Sequence, residues 1–210
     1  MGCGRVAPSV SDDCAFPNIS VSHHPRVRRQ RCVRERFSRL LPVNPASRIE
    51  IRPATVADVP VILAMIRELA EFEHLAHEVE AGEERLRDTL FGPNPAAEAL
   101  LGSVDGGQAG FALFFPSYST FLAKPGLYLE DLFVRAQYRH RGLGTALFLA
   151  VARIAVERGC GRYEWSVLDW NEPAIAFYES LGSEMRPDWR RMRIAGSALQ
   201  TLAARASSVV

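Results

Sequence analysis

The chain has 210 residues, 48% of them hydrophobic and 23% charged, with a formal net charge of +1. That length suits one sizeable core with an appendage, and no apolar run approaches the roughly 18 residues of a membrane-spanning helix. Of its 25 basic and 24 acidic residues, eight Arg and three acids fall in residues 1–47, leaving 17 basic and 21 acidic residues beyond, so a basic leader precedes a mildly acidic body.

Lys124 is the only lysine, and past residue 47 the arginines are scattered among acids, which argues against a nucleic-acid footprint. Cys3, Cys14, Cys32 and Cys160 show neither metal-ligand nor CxxC spacing, so the expected setting is a reduced cytoplasm without a metal centre. Pro8, Pro17, Pro25, Pro42 and Pro45 punctuate the leader, and its lack of periodicity predicts disorder over 1–47 rather than a folded unit. It has no apolar segment of the kind a secretory signal needs.

Regular pattern begins at residue 48. Ile49 and Ile51 alternate with Glu50 and Arg52 as a strand, and Thr55 with Asp58 forms a capping-box pattern. Val59, Ile62, Leu63, Ile66 and Leu69 then share one face of a helix reaching about Phe72, and a short helix is predicted over 83–90. Residues 97–104 and 108–115 flank Asp105-Gly106-Gly107, a hairpin turn, and 116–126 read as a loop. Next come a strand over 127–134, an Arg- and Gly-rich turn, and an amphipathic helix following Gly144. A strand over 163–168, a helix over 172–181 capped by Asn171, a last strand over 189–194 and a short terminal helix complete the chain. Hairpin signals beside crossover helices predict one mixed α/β domain over 48–210.

The strand over 127–134 is apolar on both faces: Leu127, Leu129 and Phe133 on one, Tyr128, Leu132 and Val134 on the other. Glu130 and Asp131 nevertheless occupy its middle, and an unpaired carboxylate withdrawn from water costs on the order of several kcal/mol. Either both sit at a bulge or rim, or they belong to a site. After the strand, Gly142 and Gly144 let backbone amides turn towards an anion at a helix N-terminus, with Arg139 and Arg141 adding charge. The P-loop lysine and the third glycine of the dinucleotide fingerprint are both missing.

Arg139-His-Arg-Gly-Leu-Gly144, following a strand that ends in Phe133-Val134, resembles the acetyl-CoA pyrophosphate loop of the GNAT superfamily of N-acetyltransferases. Asn171-Glu-Pro-Ala-Ile-Ala-Phe-Tyr178-Glu-Ser-Leu-Gly182 resembles the superfamily's second motif. More narrowly, IRPATVADV, LAEFEHL, YLEDLFV, VLDWNEPAIAFY and the late Trp189 resemble the spermidine/spermine and thialysine N-acetyltransferase branch, over about residues 49–202. The resemblance implies a single GNAT-type α/β domain, with a mixed, mostly antiparallel sheet flanked by helices, and a homodimer.

It also implies roles. Backbone groups of Leu132, Phe133 and Val134 would hold the pantetheine arm and thioester. His140, Arg141, Gly142, Leu143, Gly144 and Thr145 would cradle the pyrophosphate with Arg139 supporting them, and Asn171, Glu172, Pro173 and Ala174 would line the far side of the cofactor. Tyr178 matches the general acid and Glu130 the carboxylate that binds and helps deprotonate the amine. Phe72, Glu73, Glu164, Trp165, Ser166 and Trp189 match substrate contacts.

Without the resemblance, Tyr178 would be a core residue beside Ala174, Phe177 and Leu181, and Trp165, Trp170 and Trp189 would be packing residues. Pro187-Asp188 stands where the polyamine enzymes carry an acidic pair, which favours short amines over long polyamines. The expected activity is acetyl transfer from acetyl-CoA to a primary amine of a small cationic substrate, by direct attack in a ternary complex. Rival readings are a GNAT enzyme acting on a protein amine or aminoglycoside, and a non-catalytic acyl-CoA-binding regulatory module.

Overall fold

Alternation at Ile49 and Ile51 builds β1 (Ile49–Pro53), and the capping box at Thr55 and Asp58 turns the chain through a short 3-10 turn into α1 (Val59–Phe72). The computed structural model describes residues 48–208, so the expected disorder of the leader lies outside the described residues. A second helix, α2 (Glu83–Phe91), precedes three antiparallel strands, β2 (Glu98–Val104), β3 (Gly107–Ser119) and β4 (Lys124–Val134). Helix α3 (Leu143–Glu157) crosses to β5 (Arg162–Trp165), and α4 (Glu172–Ser180) and α5 (Gly196–Ala204) follow. The sheet order is β1-β2-β3-β4-β5, antiparallel except for the parallel β4–β5 pair. This is the mixed, mostly antiparallel sheet with flanking helices that the sequence predicts.

The two faces of the sheet carry separate cores. Leu127, Leu129, Leu143, Leu147 and Phe148 pack where α3 crosses, joined at the edge by Phe177 and Tyr178 of α4. Ile62 and Met65 of α1 cover Leu101, Phe111 and Phe133 on the other face. Asp105 and Gly106 take positive φ (52° and 82°) in the predicted hairpin turn, where a glycine carries no steric penalty.

Five expectations change. Residues 116–126 are not a loop: β3 and β4 continue through them and meet at a turn over 120–123. Pairing with β2 stops at Phe114, so Pro116 lies where β3 has an open edge, and its missing N–H is tolerated there. β5 ends at Trp165 rather than at residue 168, and α3 begins at Leu143, before Gly144. Residues 189–194 form no strand, and Trp189, Met192 and Ile194 are exposed; no other described strand pairs with them, so the alternating pattern has no ladder to join.

The fifth change concerns β4. Leu113 of β3 pairs with Asp131, but the next residue, Phe114, pairs with Leu129. Glu130 is thus the extra residue of a β-bulge, which reverses side-chain parity on either side of it. Leu127, Leu129, Leu132 and Val134 accordingly share the α3 face, while Phe133 faces α1. The division predicted for a regular strand does not hold.

Candidate active site

The bulge coincides with an opening in the sheet. β4 pairs with β5 only over Gly126–Leu129, matched to Arg162–Trp165. Beyond Leu129 the two strands part, so the stretch of β4 containing Leu132, Phe133 and Val134 has no strand on its β5 side. Backbone groups on such an edge are available to an extended ligand with amide groups of its own. One is already engaged: Arg139 Nε donates to the Val134 carbonyl at 3.0 Å.

The turn that follows is shaped for an anion. His140 and Gly142 both take positive φ (60° and 88°), and Gly142 is the N-cap of α3, where no side chain caps the helix. The first-turn N–H groups at Leu143, Gly144 and Thr145 have no acceptor within the helix, and the helix dipole adds a partial positive charge there. Leu143 contributes backbone only, since its side chain is buried against Gly102. Arg141 is turned towards Asp105 (3.6 Å) and lies 5.8 Å from the Tyr138 ring. Asn171 accepts from the Ala174 N–H at 3.3 Å and so caps α4, with Glu172 and Pro173 exposed in its first turn. An open strand edge, two left-handed residues and an uncapped helix N-terminus together fit the pantetheine and diphosphate of acetyl-CoA.

Acidic groups gather on the α1 side of the opening. Glu130, the bulged residue, is exposed, whereas Glu73, the C-cap of α1, is partly buried. Asp131 is withdrawn from water and lies near Glu130 and Glu73, which together push its carboxyl up to about 7; desolvation also raises Glu73. Tyr128 faces the same side against Phe115 (5.2 Å between ring centres), and its hydroxyl is 2.6 Å from Ser166 Oγ. Glu164 pairs in register with Tyr128 and its carboxylate is 2.7 Å from Arg162.

Tyr178 approaches from the other side, on α4. Its ring packs against Trp165 (4.9 Å), Phe177 (5.1 Å) and Phe148 (5.5 Å). Burial, and secondarily the charge of Glu73, pushes its hydroxyl up to about 12, so it stays protonated at neutral pH. Trp165 thus supports Tyr178 within the α3-face core. Trp189 is 72% exposed and has no ring contact with these aromatics within one chain.

The structure brings two further residues beside the site that the sequence does not assign to it. Trp170, read as packing, is 48% exposed and reaches across to Phe72 (5.9 Å) and His74 (6.1 Å) beyond α1. Phe72 also takes the Arg139 guanidinium 4.7 Å from its ring centre. This links the turn before α3, the end of α1 and the segment before α4. Three-dimensional contact alone reveals it, although Trp170 beside the cap Asn171 was a hint. Asp131 is the other, since parity in a bulged strand cannot be read from spacing.

A sheet that opens at a bulge, beside an uncapped helix N-terminus, with carboxylates on one side and a protonated phenol on the other, is an arrangement that suits acyl transfer from an anionic carrier. The acetyltransferase (GNAT) family profile matches residues 63–183. The chain belongs to this family and is an acetyl-CoA-dependent N-acetyltransferase.

It is 39% identical over 166 residues to the thialysine N-epsilon-acetyltransferase of Mus musculus, covering 74% of this chain and 97% of that protein. It is 38% identical over 197 residues to the L-ornithine N5-acetyltransferase NATA1 of Arabidopsis thaliana (72% and 86%). The spermidine/spermine N(1)-acetyltransferase-like protein 1 of Homo sapiens matches at 33% over 141 residues, which is 64% of this chain and 20% of that protein. Among solved structures, an integron cassette protein from the mobile metagenome of V. cholerae shares the fold, with a TM-score of 0.63 and 24% identity over 74% of this chain and 97% of that one. No helix among the described residues is long and apolar enough to cross a membrane.

Proposed function

We propose that residues 48–210 form one catalytic domain that transfers acetyl from acetyl-CoA to the side-chain amine of a small cationic substrate, a lysine- or ornithine-like amino acid or a short diamine. The observation that carries this is a cluster of acids beside the opening: Glu130 and Asp131 at the β4 bulge lie near Glu73 at the end of α1, and no arginine among the described residues pairs with them. The names of the thialysine and ornithine relatives support the same acceptor class. A primary alkylammonium has a pKa near 10.4, so roughly one molecule in 10³ is nucleophilic at pH 7. Acids at the opening draw the cation in and remove its proton. Edge amides of β4 stabilise the developing oxyanion, and Tyr178 supplies the proton the leaving thiolate requires.

In this reading the reaction is a direct attack in a ternary complex, in a cytoplasmic enzyme that needs neither metal nor nucleic acid. The enzyme acts as a homodimer, a state supported by the open edge of β5 and the exposed apolar side chains Trp189, Met192 and Ile194. A thiol-release screen over amino acids, diamines, polyamines, peptides and aminoglycosides tests the substrate class. The expected order places thialysine, L-ornithine and short diamines first, and a preference for peptides or aminoglycosides would overturn it.

A further inference from the structure

The other strongly held acids of the described chain each have an arginine. Asp58 takes two 2.7 Å hydrogen bonds from Arg52, Glu68 is gripped by Arg135 at 2.7–3.2 Å, and Glu98 faces Arg158 across two hydrogen bonds. Asp131 has none. The bulge at Glu130 places it opposite Leu113 on the α1 face, partly buried, with no hydrogen bond or ion pair to any described residue. The titratable groups near it are Glu130 on its own strand and Glu73 at the end of α1, with the Tyr178 phenol on α4 also near Glu73. Among the described residues, the charged groups acting on it are these two carboxylates. A carboxylate drawn from water among other carboxylates is stable only if protonated, or if a cation arrives from outside the chain. The bulge also separates the roles of the two adjacent acids, since Glu130 is exposed at the rim while Asp131 lies within.

Resting on the acceptor class proposed above, we infer that Asp131 seats the reacting ammonium and takes its proton, while Glu130 at the rim guides the cation in. The Asp131 carboxylate removes one proton from nitrogen, and the freed lone pair forms the C–N bond as the C–S bond breaks. Tyr178 gives its proton to sulfur. Of the two protons that nitrogen loses, one leaves through Asp131 to solvent and the other restores the phenol, so the balance needs no co-reactant. Glu73 and Glu130 keep Asp131 a strong enough base to compete near neutrality, a task an ordinary aspartate performs poorly.

Two measurements on the full chain test this. The first is the pH dependence of kcat/KM with thialysine and L-ornithine for the wild type, Asp131→Asn and Glu130→Gln. In the wild type kcat/KM is expected to fall about tenfold per pH unit below an apparent pKa near 7. Asp131→Asn is expected to lose about 100-fold or more together with that limb, and Glu130→Gln less than about tenfold with the limb retained but moved to lower pH. Loss of the limb in Glu130→Gln, with Asp131→Asn retaining it, would overturn the inference and leave the acceptor class standing. Acetyl-CoA binding without acetylation of either amine would overturn the class and the inference together. The second measurement does not depend on turnover: carbon-13 NMR of the Asp131 carboxyl in the free enzyme is expected to show titration near neutrality. Titration in the ordinary aspartate range, below about 4.5, would sink the assignment.

Discussion

Asp58 and Asp131 are the same side chain in opposite surroundings. Asp58 accepts from the Thr55 N–H (2.8 Å) and hydroxyl (2.9 Å) and from both terminal nitrogens of Arg52; the arginine holds its carboxyl well below the usual range. It joins the end of β1 to the start of α1. Asp131 is withdrawn from water with acids for neighbours, and its carboxyl rises to about 7. Where the protein supplies the counter-charge, an acid is structural. Where the described residues supply no counter-charge, as at Asp131, the acid has no structural ion pair. Changes around Asp131 should therefore cost activity and spare stability, and changes around Asp58 should do the reverse.

The largest expected effect lies on the uncompensated side. Tyr178→Phe keeps the ring packed against Trp165 and Phe148 but removes the proton donor, and kcat is expected to drop about 10²-fold or more with little change in melting temperature. A variant turning over at the wild-type rate would show that Tyr178 is only a core residue.

Next comes the compensated side. Arg52→Ala leaves Asp58 with only its Thr55 partners, and denaturant unfolding is expected to show a loss of about 2–3 kcal/mol, with kcat/KM for thialysine unchanged. The pH dependence has a definite sign. Because Asp58 is depressed in the folded state, its contribution is present above the unfolded aspartate pKa and fades as pH falls through the lower folded value. A loss that did not shrink in acid would contradict this origin.

Asp131 has the opposite sign. Its raised folded value means that stability is full below the unfolded pKa, near 4, and declines as pH rises through about 7. Asp131→Asn is therefore expected to be more stable than wild type at pH 8, by about 1–2 kcal/mol, and no more stable at pH 4. Equal stability at both pH values would mean that the carboxylate is compensated after all.

The smallest effect concerns the aromatic link. Trp170→Ala removes the contact with Phe72 and His74 and is expected to raise the acceptor KM about threefold to tenfold, on the scale of an exposed aromatic contact of about 1 kcal/mol. A change confined to the KM for acetyl-CoA would place Trp170 on the cofactor side instead.

Much of this was legible in the residues themselves, for local reasons. Thr55 and Asp58 form their capping box within a few residues, and Asp105-Gly106 turns because glycine accepts positive φ, whereas the start of α3 at Gly142 rather than after Gly144 was not legible. The phosphate-type turn and the capped α4 are contiguous segments, so their order along the chain carries their meaning. Residues 189–194 show the limit of that reasoning. Met192 and Ile194 alternate as strand residues do, yet alternation states only which faces a strand would have, and pairing needs a partner that the described fold does not offer.

The chain's local chemistry thus dictated the caps, the turns, the helix faces and the presence of two acids in an apolar strand. Only the tertiary structure decided which acid faces inward. Register between β3 and β4 is a property of two strands, and one extra residue at Glu130 reverses every side chain beyond it. The same assembly parts β4 from β5 after Leu129 and brings Glu73 from α1 towards Asp131 and Tyr178. Spacing along one strand cannot report a neighbour brought in from 58 positions away.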